Sequence, residues 1–97
     1  MTNPNHSPRP MNEIFRDLAG LLEGCAGTTR HDKAIVAITF CIDEGITTGQ
    51  QIIGVLRHMG FNARHVGKLL HDLSGNDPAR HYWQRDAEGH YRNLTSA

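Results

Sequence analysis

Apolar residues fall along the chain in four blocks with helical spacing, followed by one that reads as strands. Ile14, Phe15, Leu18, Leu21 and Leu22 stand at i, i+1, i+4, i+7 and i+8, the stripe of a helix over about residues 12 to 23. From Ala34 to Ile42 only Thr39 is polar, so a helix over about 30 to 44 is apolar nearly all round and belongs at the centre, covered on more than one side. Ile52, Ile53, Leu56 and Met59 mark a third helix, about 48 to 59, and Val66, Leu69, Leu70 and Leu73 a fourth, 63 to 74. After "SGNDP" interrupts the pattern, "RHYWQRDAEGHYRNL" reads as two strands around an "AEG" turn, a hairpin over 80 to 94.

The punctuation between blocks agrees with these limits. Thr29 and Asp32 have capping-box-like spacing, and Gly45 is a natural left-handed stop for the second helix. Thr47 or Thr48 caps the third helix, with a Gln following three residues later. Gly60, Phe61 and Asn62 make a turn of about three residues, with Gly free to take positive φ, Phe covering the helix end and Asn capping the fourth helix. The first helix is short, contains Gly20 and ends in "EGCAGTT", so it needs a packing partner, either the second helix or a second copy of the chain. A homodimer through helix 12–23 is the expectation. Residues 1 to 10 hold three of the four prolines, too little apolar surface to offset ordering entropy, so residues 1–11 are expected to be a disordered arm. The chain then divides into that arm, a helix with a Gly-rich linker over 12–28, and a domain over 29–94.

Three helices, a Gly-hydrophobe-Asn turn between the last two, and a C-terminal hairpin follow one another in "HMGFNARHV" and "HYWQRDAEGHYRNL", and residues 29 to 94 resemble the winged helix-turn-helix superfamily. The fold class the resemblance implies is mainly α with a small β-hairpin, a winged helix-turn-helix preceded by an N-terminal helix. It also implies a small sequence-specific DNA-binding transcriptional regulator, with the fourth helix in the major groove of double-stranded DNA and the hairpin as a wing. Arg64, His65, Lys68 and His71 would then face the groove, and Arg85 and His90 would flank the wing tip.

The residues themselves carry part of this chemistry. Placed at 100° steps, Arg64, Lys68 and His71 gather on the face of the fourth helix opposite its apolar stripe. Arg64 and Lys68 form an i, i+4 like-charge pair, which costs roughly 0.2 to 0.5 kcal/mol in an isolated helix and is better explained by an anionic partner. Arg can donate two hydrogen bonds to a guanine edge, whereas Lys acts as a point charge. Thr48, Gln50 and Gln51, with Thr47, could donate to a phosphate at the start of the third helix.

Charge and composition pull the other way. Ten Lys and Arg balance ten Asp and Glu, so nucleic-acid binding would have to be local, and Asp72, Asp86 and Glu88 stand beside the candidate contacts. A winged helix acting as a protein-interaction adaptor, without intrinsic DNA binding, is the alternative. Tyr82, Trp83 and Tyr91 are expected to anchor the hairpin to the helices, with Trp83 in the core.

Five of the seven histidines follow residue 57, but none makes an i, i+4 pair with another His or a Cys, so no metal and no cofactor is expected. Cys25 and Cys41 read as free thiols of a cytoplasmic protein, and Cys41, between Phe40 and Ile42, as a small buried hydrophobe rather than a nucleophile. No enzymatic activity is expected. No apolar run reaches the roughly 20 residues of a membrane span, and the start lacks the order of a signal peptide.

Overall fold

Side-chain caps fix where three helices begin. Thr29 Oγ1 accepts from the Asp32 N–H at 3.1 Å, Thr48 Oγ1 from Gln51 N–H at 3.2 Å, and Asn62 Oδ1 from His65 N–H at 3.1 Å. The computed structural model describes residues 10–25, 27–77 and 79–94; the first nine, where most of the arm is expected, lie outside them. The described residues form α1 (Met11–Glu23), α2 (Arg30–Asp43), α3 (Gly49–His58), α4 (Ala63–Asp72), β1 (Trp83–Arg85) and β2 (Tyr91–Asn93). The protein is thus mainly helical with one small antiparallel hairpin, an order compatible with a winged helix layout.

Two helices end in the same way. At the end of α2, Ile46 N–H reaches back to Cys41 O and Gly45 N–H to Ile42 O; at the end of α3, Phe61 N–H reaches Leu56 O and Gly60 N–H reaches Arg57 O. This is the Schellman arrangement, which satisfies carbonyls a helix end leaves open, and Gly45 and Gly60 take the positive φ it needs, 90° and 97°. In each case the residue after the glycine, Ile46 or Phe61, is buried, so the chain leaves the helix directly into the core.

α2 is central, packed against α1, α3 and β2. Ile14 and Leu18 of α1, Ala34, Ala37, Ile38 and Cys41 of α2, Ile52 and Leu56 of α3, Val66 of α4 and Trp83 are wholly inaccessible to solvent. Among the described residues no polar or charged residue is buried as a whole, and the one buried side-chain oxygen without a hydrogen-bond partner is Asn93 Oδ1. Several residues of the apolar blocks are only half-buried, Ile35 and Leu73 among them. The buried face of α2 runs through the small residues Ala34 and Ala37, which turns Ile35 to the edge; Leu73 is the C-cap of α4, where the stripe leaves the core.

The apolar stripe of α1 is spent largely within the chain. Ile14 and Leu18 are buried against the other helices, and Phe15 stacks on the His58 ring at the end of α3, centroids 3.9 Å apart. Met11 and Leu21 alone of its large apolar side chains remain exposed among the described residues.

In the hairpin, Trp83 pairs with Asn93, Gln84 with Arg92 and Arg85 with Tyr91. Its turn closes through Asp86 N–H to His90 O at 2.8 Å and Gly89 N–H to Asp86 O at 3.0 Å. Thr47, the cap candidate that α3 does not use, instead accepts from Tyr91 N–H at 2.7 Å, and Thr48 bridges to His90. The strand pair is thereby fixed to the start of α3 by a contact between residues more than 40 positions apart.

Candidate nucleic-acid interface

The face of α4 follows from its own pattern. Val66, Leu69 and Leu70 turn inward, which leaves Arg64, Lys68 and His71 exposed on the opposite side. Arg64 has no ion-pair partner among the described residues. Lys68 does have one: its Nζ lies 3.2 Å from Asp72 Oδ2, one turn along the helix. The repulsion expected between Arg64 and Lys68 is therefore offset by an i, i+4 attraction of similar size, and stability alone accounts for Lys68 without an external anion.

His65 departs from its expected position. It is half-buried on the flank of α4, and its ring lies against that of His31 at the start of α2, centroids 5.8 Å apart and tilted by 34°. The reason is rotational, since His65 stands 100° round the helix from Arg64, toward Leu69 and the α2 side. The contact spans 34 residues, so no local pattern in the sequence signals it.

The start of α3 and the hairpin tip share one edge. Thr48 Oγ1 is occupied by its capping bond, while Gln50 and Gln51 are exposed. Thr47 Oγ1 and His90 Nδ1 lie 2.8 Å apart, a side-chain bond between the helix approach and the hairpin. Arg85 is exposed, and its guanidinium lies over Gly89, where a Cβ would come within 3.5 Å of Nη2. On the hairpin surface, Arg92 donates twice to Gln84 Oε1, at 2.8 and 3.1 Å.

Several exposed acids are engaged by neighbouring donors. Asp86 Oδ1 accepts from Glu88 N–H at 2.9 Å and from His90 N–H at 3.0 Å, which closes the turn and, through these backbone bonds, holds its carboxyl below the ordinary range. Asp77 Oδ1 accepts from Ala79 N–H, and Asp43 Oδ1 from Asn93 Nδ2. Of the acids that counted against DNA, Asp72 is paired, Asp86 is a turn residue and Glu88 is exposed at the hairpin tip.

Among the described residues no group of three or more His, Cys, Asp or Glu side chains is placed to hold a metal ion. Burial pushes the Cys41 thiol up to about 12, so it stays protonated at neutral pH and is no nucleophile. No helix of the described residues is long and apolar enough to cross a membrane. Leu21 and Tyr82 line one largely apolar groove with Ile35, Val36 and Phe40, edged by Thr39 and Asp43. Compared with protein families, curated proteins and solved structures, the chain shows no significant match.

Proposed function

We propose that this chain is a small, cytoplasmic, non-enzymatic regulator of the winged helix-turn-helix kind, which binds double-stranded DNA with α4 in the major groove and the hairpin as its wing. The observation that carries this reading is the division of α4. Its inner face is locked in the core, while Arg64, Lys68 and His71 form one exposed polar face after the turn at residues 59–62. A rigid helix with an exposed basic face, on which only Lys68 has an ion-pair partner among the described residues, suits base reading. The bond between Thr47 and His90 supports the same reading, since it brings α3 and the hairpin to one edge where both could meet backbone phosphates. In this proposal Arg64 reads bases, Lys68, Gln50, Gln51 and Arg85 meet phosphate, and two copies associate through the apolar groove around Leu21, as suits a two-fold DNA site.

Selection from random duplexes, followed by titration at several salt concentrations, tests it. Arg64→Ala should lose about 1 to 3 kcal/mol of specific binding and relax base preference, while Lys68→Ala should weaken all sequences alike and flatten the salt slope by about one unit. The balanced charge of ten against ten favours a second reading, an adaptor whose α4 face meets a protein. Unchanged duplex affinity in both variants at low salt would leave the adaptor in its place.

A further inference from the structure

The end of α1, the start of α2 and the turn between α3 and α4 together line a cavity of about 470 Å³. Ala19 and Leu22 of α1 and Met59 and Phe61 after α3 give it apolar walls, and the remaining lining residues are Glu23, Arg30 and Lys33. A few hundred cubic ångström with apolar walls and a small number of charged groups is the make-up of a small-molecule site. Arg30 is fixed there, since its Nη2 donates to Gly60 O and its guanidinium carbon stands 4.5 Å from the Phe61 ring centroid. Lys33 follows three residues on, along the same face of α2, and is half-buried.

The stability of the helices does not account for these three charges. Glu23 is the last residue of α1, Arg30 is the first of α2, and Lys33 stands one turn after it. Each lies near the helix end whose dipole disfavours its charge, and Arg30 and Lys33 repel each other at this spacing. Although the acid and the two cations line one cavity, no ion pair joins any of them to another or to any other described residue. Opposite charges held apart around an apolar cavity leave room for a molecule that carries both.

We propose that this cavity binds a free amino acid with an apolar side chain, its carboxylate held by Arg30 and Lys33, its ammonium by Glu23, and its side chain against Leu22, Met59 and Phe61. Arg presents a planar fork that matches a carboxylate, and Lys adds a point charge. The bound molecule also relieves both helix ends, with an anion at the start of α2 and a cation at the end of α1. Other ligand classes fit less well. A divalent cation would meet one carboxylate and two cations, free phosphate would meet Glu23 and leave the apolar walls unused, and a wholly apolar ligand would strand three charges. The proposal does not rest on DNA binding, although Met59 and Phe61 belong to the turn that leads into α4.

Titration of the full chain with L-leucine and with L-phenylalanine, followed through the backbone amide resonances, tests the site. Saturable shifts gathered at Leu22, Glu23, Arg30, Lys33, Met59 and Phe61 are expected. Two analogues divide the contacts, since isocaproate is leucine without its ammonium and isoamylamine is leucine without its carboxylate. Each should bind at least about tenfold more weakly than leucine, the loss of one charge-assisted contact. Lys33→Gln should weaken leucine and isocaproate but not isoamylamine; Glu23→Gln should weaken leucine and isoamylamine but not isocaproate. Thermal midpoints check that both variants remain folded. Absence of saturable shifts at these amides with either amino acid overturns the site on the wild-type protein alone. Leucine affinity unchanged in both folded variants, or isocaproate bound as tightly as leucine, overturns the assignment of a zwitterion to this cavity.

Discussion

The indole N–H of Trp83 donates to the carbonyl of Leu70 at 3.1 Å, so the first strand of the hairpin is bonded to the helix that carries Arg64, Lys68 and His71 on its other side. Leu70 lies in the last turn of α4, where carbonyls have no helical partner, and the indole supplies one in a place closed to water. Trp83→Phe should cost about 2 to 4 kcal/mol, from an unsatisfied buried carbonyl and a partial cavity, and Trp83→Ala about 3 to 5 kcal/mol. Urea unfolding midpoints check both. A Phe variant as stable as the wild type would show that the bond contributes nothing.

Leu18 and Leu21 lie on one helix and should respond oppositely. Leu18 is wholly buried within the chain, so Leu18→Glu should unfold or severely destabilise the protein rather than dissociate two intact copies. Leu21 is 41 % exposed in the apolar groove, so Leu21→Glu should leave the thermal transition nearly unchanged and abolish any dimer in sedimentation. A folded Leu18→Glu monomer would contradict the packing of α1, and a wild type monomeric at high concentration would remove the proposed dimer.

Cys41 and Cys25 differ in the same manner. With one thiol buried and the other partly exposed, a thiol reagent should modify about one equivalent in the native protein and about two after unfolding. The unfolded Cys41 thiol ionises near its ordinary 9.0 but the folded one only at about 12. Between those values the unfolded state releases a proton that the folded state keeps, so stability should fall as pH rises through this window.

Asp86 gives the acid counterpart. Its carboxyl is held below the ordinary value by the bonds to His90 and Glu88, so the stabilisation is fully present above that ordinary value of 3.8 and is lost as pH falls through the folded one. The amides of Glu88 and His90 should report loosening of the turn in acid before the helices melt. Asp86→Asn, which keeps an acceptor oxygen, should preserve the turn and remove this acid transition; Asp86→Ala should loosen it already at neutral pH.

Asp72→Ala tests the functional proposal from the opposite side. The substitution frees Lys68 from its 3.2 Å pair and removes a negative charge from α4. Duplex affinity should rise and its salt dependence steepen, with fold stability altered by no more than about 0.5 kcal/mol. Unaltered or weaker duplex binding would place this flank of α4 outside any DNA contact.

The contrast between what the chain announces and what it conceals follows from range. Caps such as Thr29 and Asn62, the stops at Gly45 and Gly60, and the inward stripe Val66, Leu69 and Leu70 involve neighbours within a few residues, and periodicity reads them directly. The tilted ring contact of His31 with His65, the hydrogen bond of Arg30 to Gly60 and the attachment of Thr47 to the hairpin join distant positions. Asp86 misled for another reason, since a carboxylate near a turn is equally compatible with solvent exposure and with bonding to its own backbone. Arg64, Lys68 and His71 could be placed on one face from spacing, whereas the pairing of Lys68 depends on side-chain rotamers that spacing leaves free.

The attachment of Thr47 and Thr48 to the hairpin also has a bearing on how the protein keeps to itself. A strand paired on one side only presents unfilled amides and carbonyls to any other extended chain, and short isolated ribbons are prone to stack edge to edge. Here Tyr91 and His90 on one outer margin meet Thr47 and Thr48, and Trp83 on the other meets Ser74 and Gly75. Each strand is three residues long, so these few contacts leave no uninterrupted margin on which a foreign strand could extend the sheet. What anchors the hairpin to the helices also guards it against polymerisation.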